Sequence, residues 1–113
     1  MQKDPRITLT NRLTRSGVPR SMSIALAWSG VLSYDESRKH TGEGIKKNAV
    51  ETWNACIKKA TVKKEKSGYV LSWNDGFSVF SSLVELRQFA WFDKSGEDAN
   101  RVLKGEEIQT ILK

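Results

Sequence analysis

Lysine and arginine are the residues in this sequence whose type and spacing could do chemistry, and they are unevenly distributed. Residues 1–66 carry 14 Lys and Arg against 6 Asp and Glu, a net charge of +8, whereas residues 67–113 carry 5 against 7, a net charge of −2. Cationic side chains neutralise phosphates, and such contacts supply most of the non-specific affinity for nucleic acids. The asymmetry therefore predicts one side that faces a polyanion. The residues predicted to contact phosphates are Arg12, Arg15, Arg20, Arg38, Lys39, Lys46, Lys47, Lys58, Lys59, Lys63 and Lys64.

Sequence motifs for catalysis and metal binding are missing. The chain contains no phosphate loop, no dinucleotide fingerprint and no nucleophile elbow. Its one cysteine, Cys56, and its one histidine, His40, are too few for a zinc site, and one cysteine cannot form an internal disulfide. We therefore expect a protein that is not an enzyme and that holds no cofactor or metal.

The stretch from Glu43 to Lys66 combines the clearest helical periodicity with the densest positive charge. Its apolar side chains recur at the spacing of one buried helical face, which predicts a helix over residues 43–60. Residues 61–66 begin with two β-branched side chains and are predicted to be a connector or a third strand. Lysines off the apolar face suit phosphate contacts, although charged outer faces are also the default for solvated helices. The apolar residues are Ile45, Ala49, Trp53, Cys56 and Ala60.

Residues 68–80 predict a β-hairpin around an Asn-Asp-Gly turn. A three-residue loop over residues 74–76 places Trp73 opposite Phe77 and collects the apolar side chains on one face, whereas a two-residue loop splits them between both faces. Burial favours the three-residue loop. Exposed aromatic side chains beside basic residues would also suit base stacking in single-stranded nucleic acid, but we expect these aromatics in the core.

The first 20 residues form a basic segment, with five Lys and Arg against one Asp. Alternation over residues 6–10 suits a short strand, and the same residues could instead open a short helix. Gly17 fits the turn of a DNA-binding helix-turn-helix. However, Leu13 stands where that motif has a small residue, and Ser23 falls near where it needs an apolar anchor. The match is not specific enough to assign a family.

Three other segments are predicted to be helical. Residues 22–34 favour a helix over a hairpin that turns at residues 29–30. Residues 81–92 begin with the capping box formed by Ser82 and Glu85. Residues 106–112 open with two glutamates, which suit the positive end of a last helix. The apolar end of the 81–92 segment is a candidate protein interface. Its residues are Phe89, Trp91 and Phe92.

These elements predict an α+β fold in which a small antiparallel sheet, built around the hairpin, packs against amphipathic helices. Residues 1–20 are predicted to be a basic N-terminal arm, whose order the sequence leaves open. Residues 21–113 are predicted to be a single globular domain. The expected core is Trp28, Ile45, Trp53, Cys56, Ile57, Leu71, Trp73, Val79, Leu83 and Leu86.

Two functions fit these features. The first is a small regulatory or accessory protein that binds DNA or RNA through the basic residues of the first 66 positions. The second is an adaptor or inhibitor that docks on an acidic or apolar surface of a partner protein, and a homodimer is compatible with either. The chain lacks an apolar run of membrane-spanning length, a secretory signal and paired cysteines. We therefore expect an intracellular, cytoplasmic protein without membrane contact.

Overall fold

The four strands of the described chain all lie in its second half, whereas helices occur in both halves. The computed structural model describes residues 4–93 and 96–113. Residues through Cys56 form one compact unit and residues from Ile57 form another, which we call the helical unit and the sheet unit. The α+β class predicted from the sequence is confirmed. In the helical unit the elements are α1 (Pro5–Arg15), α2 (Arg20–Trp28), α3 (Tyr34–Ser37) and α4 (Glu43–Ala55). In the sheet unit they are β1 (Lys59–Glu65), β2 (Gly68–Trp73), β3 (Gly76–Phe80), α5 (Leu83–Leu86), α6 (Glu97–Leu103) and β4 (Ile108–Ile111).

Helix α2 is the central element of the helical unit. Every residue from Ser21 to Ala27 is buried, and α1 packs against α2 with Leu9 and Leu13 buried. The helix predicted over residues 22–34 is therefore confirmed as far as Trp28, where α2 ends, and the hairpin alternative is wrong. The chain reverses between α1 and α2 at Gly17, whose φ of 97° lies in the region that favours glycine.

Helix α1 replaces the strand predicted over residues 6–10. Its start is defined locally, because Pro5 occupies the first turn and the Asp4 side chain accepts a hydrogen bond from the Arg6 backbone N–H. The helical alternative for this segment is therefore right. The division of the chain into a basic arm and one globular domain stays a prediction.

Helix α4 begins as predicted and ends five residues early, at Ala55. Cys56 adopts extended backbone angles, and Ile57, expected in the core, is 89% exposed. Ala60 lies in β1 instead of the helix. The reason is tertiary: β1 pairs with strands on both sides, so backbone hydrogen bonds to distant segments outweigh the helical periodicity.

The sheet is antiparallel throughout, with the order β3-β2-β1-β4. The third strand predicted over residues 61–66 is confirmed as β1. The helix predicted over residues 106–112 is wrong, since this segment forms β4 and pairs with β1 from Lys59–Ile111 to Val62–Ile108. Its isoleucines and threonine are β-branched residues that favour strands.

The hairpin between β2 and β3 has a two-residue loop, so the predicted three-residue loop is wrong. Trp73 pairs with Gly76, and Ser72 pairs with Phe77. The Trp73 indole lies across Gly76, where an added Cβ would stand 3.1 Å from Nε1. Val79, expected in the core, is 45% exposed, because this register turns Phe77 and Val79 to one face and Phe80 to the other.

The inner face of the sheet carries the core of the sheet unit, which α5 and α6 cover. Ser82 caps α5 by accepting from the Glu85 N–H, as the capping box predicts, but the helix ends at Leu86 rather than residue 92. Of the expected core, Ile45, Trp53, Leu71 and Leu86 are buried, whereas Trp28, Cys56, Trp73 and Leu83 are partly exposed. The buried cluster of the sheet unit is Ala60, Val62, Leu71, Leu86, Ala90, Phe92, Val102 and Ile108.

Candidate nucleic-acid interface

The outer face of strands β1 to β3, which we call the outer sheet face, combines an exposed aromatic side chain with lysine. Strand alternation and the pairing registers align its residues in two rows. One row runs Phe77, Ser72, Thr61, and the next runs Val79, Val70, Lys63. Lys59 and Glu65 lie on the same face of β1.

Phe77 is the most exposed aromatic side chain of the sheet unit's described residues, with 68% of its surface accessible. Beside it, Thr61 Oγ1 and Ser72 Oγ lie 3.0 Å apart and form a hydrogen bond between neighbouring strands. Lys63 lies two strands across and two residues along from Phe77, about 12 Å at the usual strand spacing and rise. This arrangement offers a stacking surface, hydroxyl groups and a cation within the span of one or two nucleotides.

Four lysines in and beside β1 are exposed and unpaired in the described part of the chain: the predicted phosphate contacts Lys58, Lys63 and Lys64, and Lys66 after the strand. These lysines make neither an ion pair nor a side-chain hydrogen bond to the described residues. Lys59 differs, because it is half-buried and engaged in an interaction of its own. Glu65 is the one acid within β1. The β1 region therefore presents net positive charge that no ion pair between described residues neutralises.

The side chain of Arg12 is partly buried and holds segments of the helical unit together. Its Nε donates to Ser37 Oγ at 3.1 Å, and its terminal nitrogen donates to the carbonyl oxygens of Ser37 and His40. These bonds tie α1 to the segment that follows α3. Because the guanidinium donors are already engaged and partly buried, Arg12 is poorly placed for phosphate contact.

Three other predicted cations are also engaged. Lys39 Nζ donates to Glu36 Oε2 at 3.1 Å. The guanidinium carbon of Arg38 lies 5.8 Å from the Tyr34 ring centroid, an exposed cation–π contact. Arg20 is half-buried at the start of α2 and has an interaction partner.

Among the exposed cations of the helical unit, Arg15, Lys46 and Lys47 form neither an ion pair nor a cation–π contact within the described residues. Lys46 lies over the α1–α2 turn, with Nζ 3.7 Å from the position of a Cβ at Gly17. Glu43 and Glu51 share a hollow of about 680 Å³ with both lysines. The surface around Lys46 and Lys47 therefore carries both signs of charge. The lysines of the β1 region should attract a polyanion more strongly than this mixed surface does.

Helices α1 and α2 have the connectivity of a helix-turn-helix but not its exposed second helix. Four residues, 16–19, join them. In that motif the second helix enters the DNA major groove and presents its side chains to base edges. Residues Ser21–Ala27 are all buried, so α2 has no free face to present. The structure thus excludes α2 as a recognition helix.

The start of α1 is held by a cluster of its own within the helical unit. Arg6 donates to both Asp4 carboxylate oxygens, and this hydrogen bonding lowers the pKa of Asp4 and raises that of Arg6. The Arg6 guanidinium carbon also lies 4.2 Å from the Trp28 ring centroid. These contacts join α1 to the end of α2 and leave Arg6 little freedom for another partner.

The predicted protein interface is only partly on the surface. Phe89 is 54% exposed and stacks on Phe80 with ring centroids 5.3 Å apart. Trp91 is half-buried, with Lys113 Nζ 4.9 Å from its ring centroid, and Phe92 is buried at 8% exposure. Phe92 therefore offers almost no surface to a partner.

Sequence reasoning missed Phe77 as an exposed residue, because burial was used to choose the hairpin register. The signal that could have found it is the alternative Asp-Gly loop at residues 75–76, which also separates Phe77 and Val79 from Trp73. The observed two-residue loop lies one position earlier, at residues 74–75, and sends Phe77 and Val79 to the outer face. The assignment of the basic residues to a phosphate surface stays a prediction.

Comparison with protein-family models, curated proteins and solved structures found no match for this chain. None of the described helices is long and apolar enough to cross a membrane. Within residues 4–93 and 96–113, no three His, Cys, Asp or Glu side chains group in a way that could hold a metal ion. The outer sheet face and the exposed lysines of β1 are therefore the basis of the proposed function.

Proposed function

We propose that this chain is a small non-enzymatic nucleic-acid-binding protein, regulatory or accessory in role, that binds single strands on the outer sheet face. The observation that carries the proposal is the exposure of Phe77, at 68%, on a sheet face that also holds Lys63. Stacking of a base on an aromatic side chain contributes about 1–3 kcal/mol and tolerates any sequence. An exposed phenylalanine beside free lysines is the combination that single-strand binding uses.

Of the unpaired lysines, Lys63 lies on the outer sheet face, whereas Lys64 pairs with Tyr69 and alternates toward the inner face. If Lys63 alone neutralises a phosphate, the slope of log K against log salt concentration is about −0.7 for a single strand, and if Lys58 and Lys64 also reach one from the ends of β1 it is about −2. If Arg15, Lys46 and Lys47 also reach the strand, the slope approaches about −4. The measured slope therefore counts the cations that take part.

The test is a salt-titrated binding assay with single- and double-stranded DNA and RNA of equal length. We expect binding at low salt, a clear loss as salt rises, and a preference for single strands. Lys63→Gln should reduce the magnitude of the slope by about 0.7. Lys104→Gln is the matched control, because Lys104 is equally an exposed cation of the sheet unit but follows α6, on the layer that covers the inner face. Absence of binding at low salt, or salt-independent binding, contradicts the proposal.

The second candidate function is docking on the apolar surface of a partner protein. The observation that favours it is the exposure of Val84 at 70% and Phe89 at 54%, in and just after α5. In a pull-down after nuclease treatment, one stoichiometric protein that is retained by the native chain and lost with Phe89→Ser would support this function. Retention by both forms would contradict a role for this surface.

A further inference from the structure

The outer edge of strand β3 is open, whereas the opposite edge of the sheet is covered. At the β4 edge, Ala90 bridges Leu112, and Trp91 N–H donates to the Ile111 carbonyl at 3.1 Å. By contrast, no backbone hydrogen bond between described residues joins β3 to any segment other than β2. The outward N–H and C=O groups of β3 are therefore free to pair with another strand.

Strand β3 also lacks the features that usually prevent edge-to-edge pairing. No charged residue and no proline occur from Gly76 to Val84. The pairing of β3 with β2 runs without a bulge from Tyr69–Phe80 to Trp73–Gly76. Natural edge strands generally carry lysine, proline or a bulge for protection. An unprotected apolar edge therefore indicates that something pairs with it.

The backbone geometry identifies which residues point outward. An added Cβ at Gly68 would lie 2.5 Å from the Phe80 carbonyl oxygen, so this carbonyl faces β2. Backbone groups alternate in direction along an antiparallel strand. Those of Gly76, Ser78 and Phe80 therefore face β2, and those of Phe77 and Val79 face the open edge.

We propose that β3 pairs with β3 of a second copy of this chain, antiparallel and centred on Ser78, to form one continuous eight-stranded sheet. In this register Phe77 of each copy lies opposite Val79 of the other, and the two residues exchange backbone hydrogen bonds. All four outward groups of each strand are then used. An isologous contact of this kind closes after two copies, so it produces a dimer and not a fibre.

The side chains favour a second copy of the chain as the partner of this strand edge, because β3 is complementary to itself when two copies pair antiparallel. On the outer face Phe77 meets Val79, an aromatic–β-branched pair of the kind that stabilises neighbouring strands. On the inner face Ser78 of one copy meets Ser78 of the other. Phe80 of each copy meets Gly76 of the other, and because Gly76 has no side chain it leaves room for the Phe80 ring. No like charges oppose each other. The proposal does not rest on nucleic-acid binding, although Phe77 takes part in both.

The first test is sedimentation equilibrium of the full chain without nucleic acid. A contact made by one five-residue strand is at the small end of specific interfaces, so we expect a dissociation constant on the order of 10 μM. The mass should rise from 12.8 kDa toward twice that value between about 1 and 500 μM. Val79→Pro removes an outward N–H without removing a hydrogen bond to β2, and it should lower self-association at least tenfold. A circular dichroism spectrum like that of the native chain checks its folding.

The second test is cross-linking, which reports the register and does not depend on the proline variant. Ser78→Cys, in a Cys56→Ser background, should form a disulfide-linked dimer under mild oxidation, because opposed residues of non-hydrogen-bonded pairs bring Cα atoms within about 4.5 Å. Ser67→Cys in the same background is the control, since Ser67 lies in the β1–β2 turn. A chain that stays monomeric to 500 μM overturns the proposal. So does a dimer that Val79→Pro leaves unchanged, or one in which the Ser78→Cys variant cross-links no better than the Ser67→Cys variant.

Discussion

Truncation of Phe77 separates a binding role of this side chain from a structural one. Phe77 is 68% exposed on the outer sheet face, whereas Tyr69, Trp73 and Phe80 pack toward the core on the inner face. Phe77→Ala therefore removes the proposed stacking surface and leaves the core in place. We expect a large effect on single-strand affinity and a small effect on folding.

The magnitudes follow from the exposed fraction. With 68% of Phe77 accessible, the substitution removes on the order of 60 Å² of buried apolar surface. At about 25 cal/mol per Å², the free energy of unfolding falls by at most about 1.5 kcal/mol. Loss of one stacked base costs about 1–3 kcal/mol of binding, which corresponds to an increase of about 5- to 150-fold in the dissociation constant.

The assay is fluorescence anisotropy with a labelled single-stranded oligonucleotide, combined with denaturant unfolding of the same samples. Phe89→Ala is the matched control, because Phe89 is a second exposed aromatic of the sheet unit, at 54%, but contacts Phe80 rather than the outer face. Molecular mass is measured in the same buffer, since Phe77 also belongs to the proposed strand pairing. Affinity that stays within twofold for Phe77→Ala, or that falls equally for Phe89→Ala, refutes the stacking argument.

Three further predictions concern the fold. Arg12→Ala should lower the free energy of unfolding by about 1–3 kcal/mol in denaturant titrations, because partly buried acceptors at Ser37 lose a charged donor; no change would contradict this role. Gly68→Ala should cost more than about 1 kcal/mol in thermal unfolding, since φ is 136° and the new Cβ would meet the Phe80 carbonyl oxygen at 2.5 Å. The lowered pKa of Asp4 implies stability that is present above about pH 4 and is lost as pH falls through the folded-state pKa. Asp4→Asn should therefore unfold more easily than the native chain at pH 7, and the two should converge at low pH; a difference that does not depend on pH would contradict the assignment.

Local signals in the sequence were reliable where neighbouring residues determine the outcome. The capping box at Ser82 and Glu85 and the start of α4 at Glu43 are found as predicted. The α+β class and the third strand are also confirmed. The capping residue and the start of α4 depend on hydrogen bonds or periodicity within a few residues, which the sequence displays directly. For the third strand the sequence displays only the β-branched Thr61 and Val62, and its pairing with β2 and β4 is tertiary.

Predictions that depended on distant partners were wrong. The apolar spacing that continues to Ala60 could equally be helix or strand, and pairing with both β2 and β4 selects strand. Similarly, residues 108–111 become β4 because an edge of β1 is available to them. Periodicity cannot reveal such pairing, since its energy comes from hydrogen bonds between segments far apart in the chain.

The amino-acid sequence by itself determined the α+β class, the excess of positive charge in the first 66 residues and the chemistry offered by lysines. Only the tertiary structure decided which cations are engaged, as Arg12 is, and which are free, as Lys63 is. It also decided that Phe77 faces outward, because the two-residue loop places Phe80 on the inner face. The physical reason is that exposure and pairing are properties of the assembled surface, which depends on the register of whole strands.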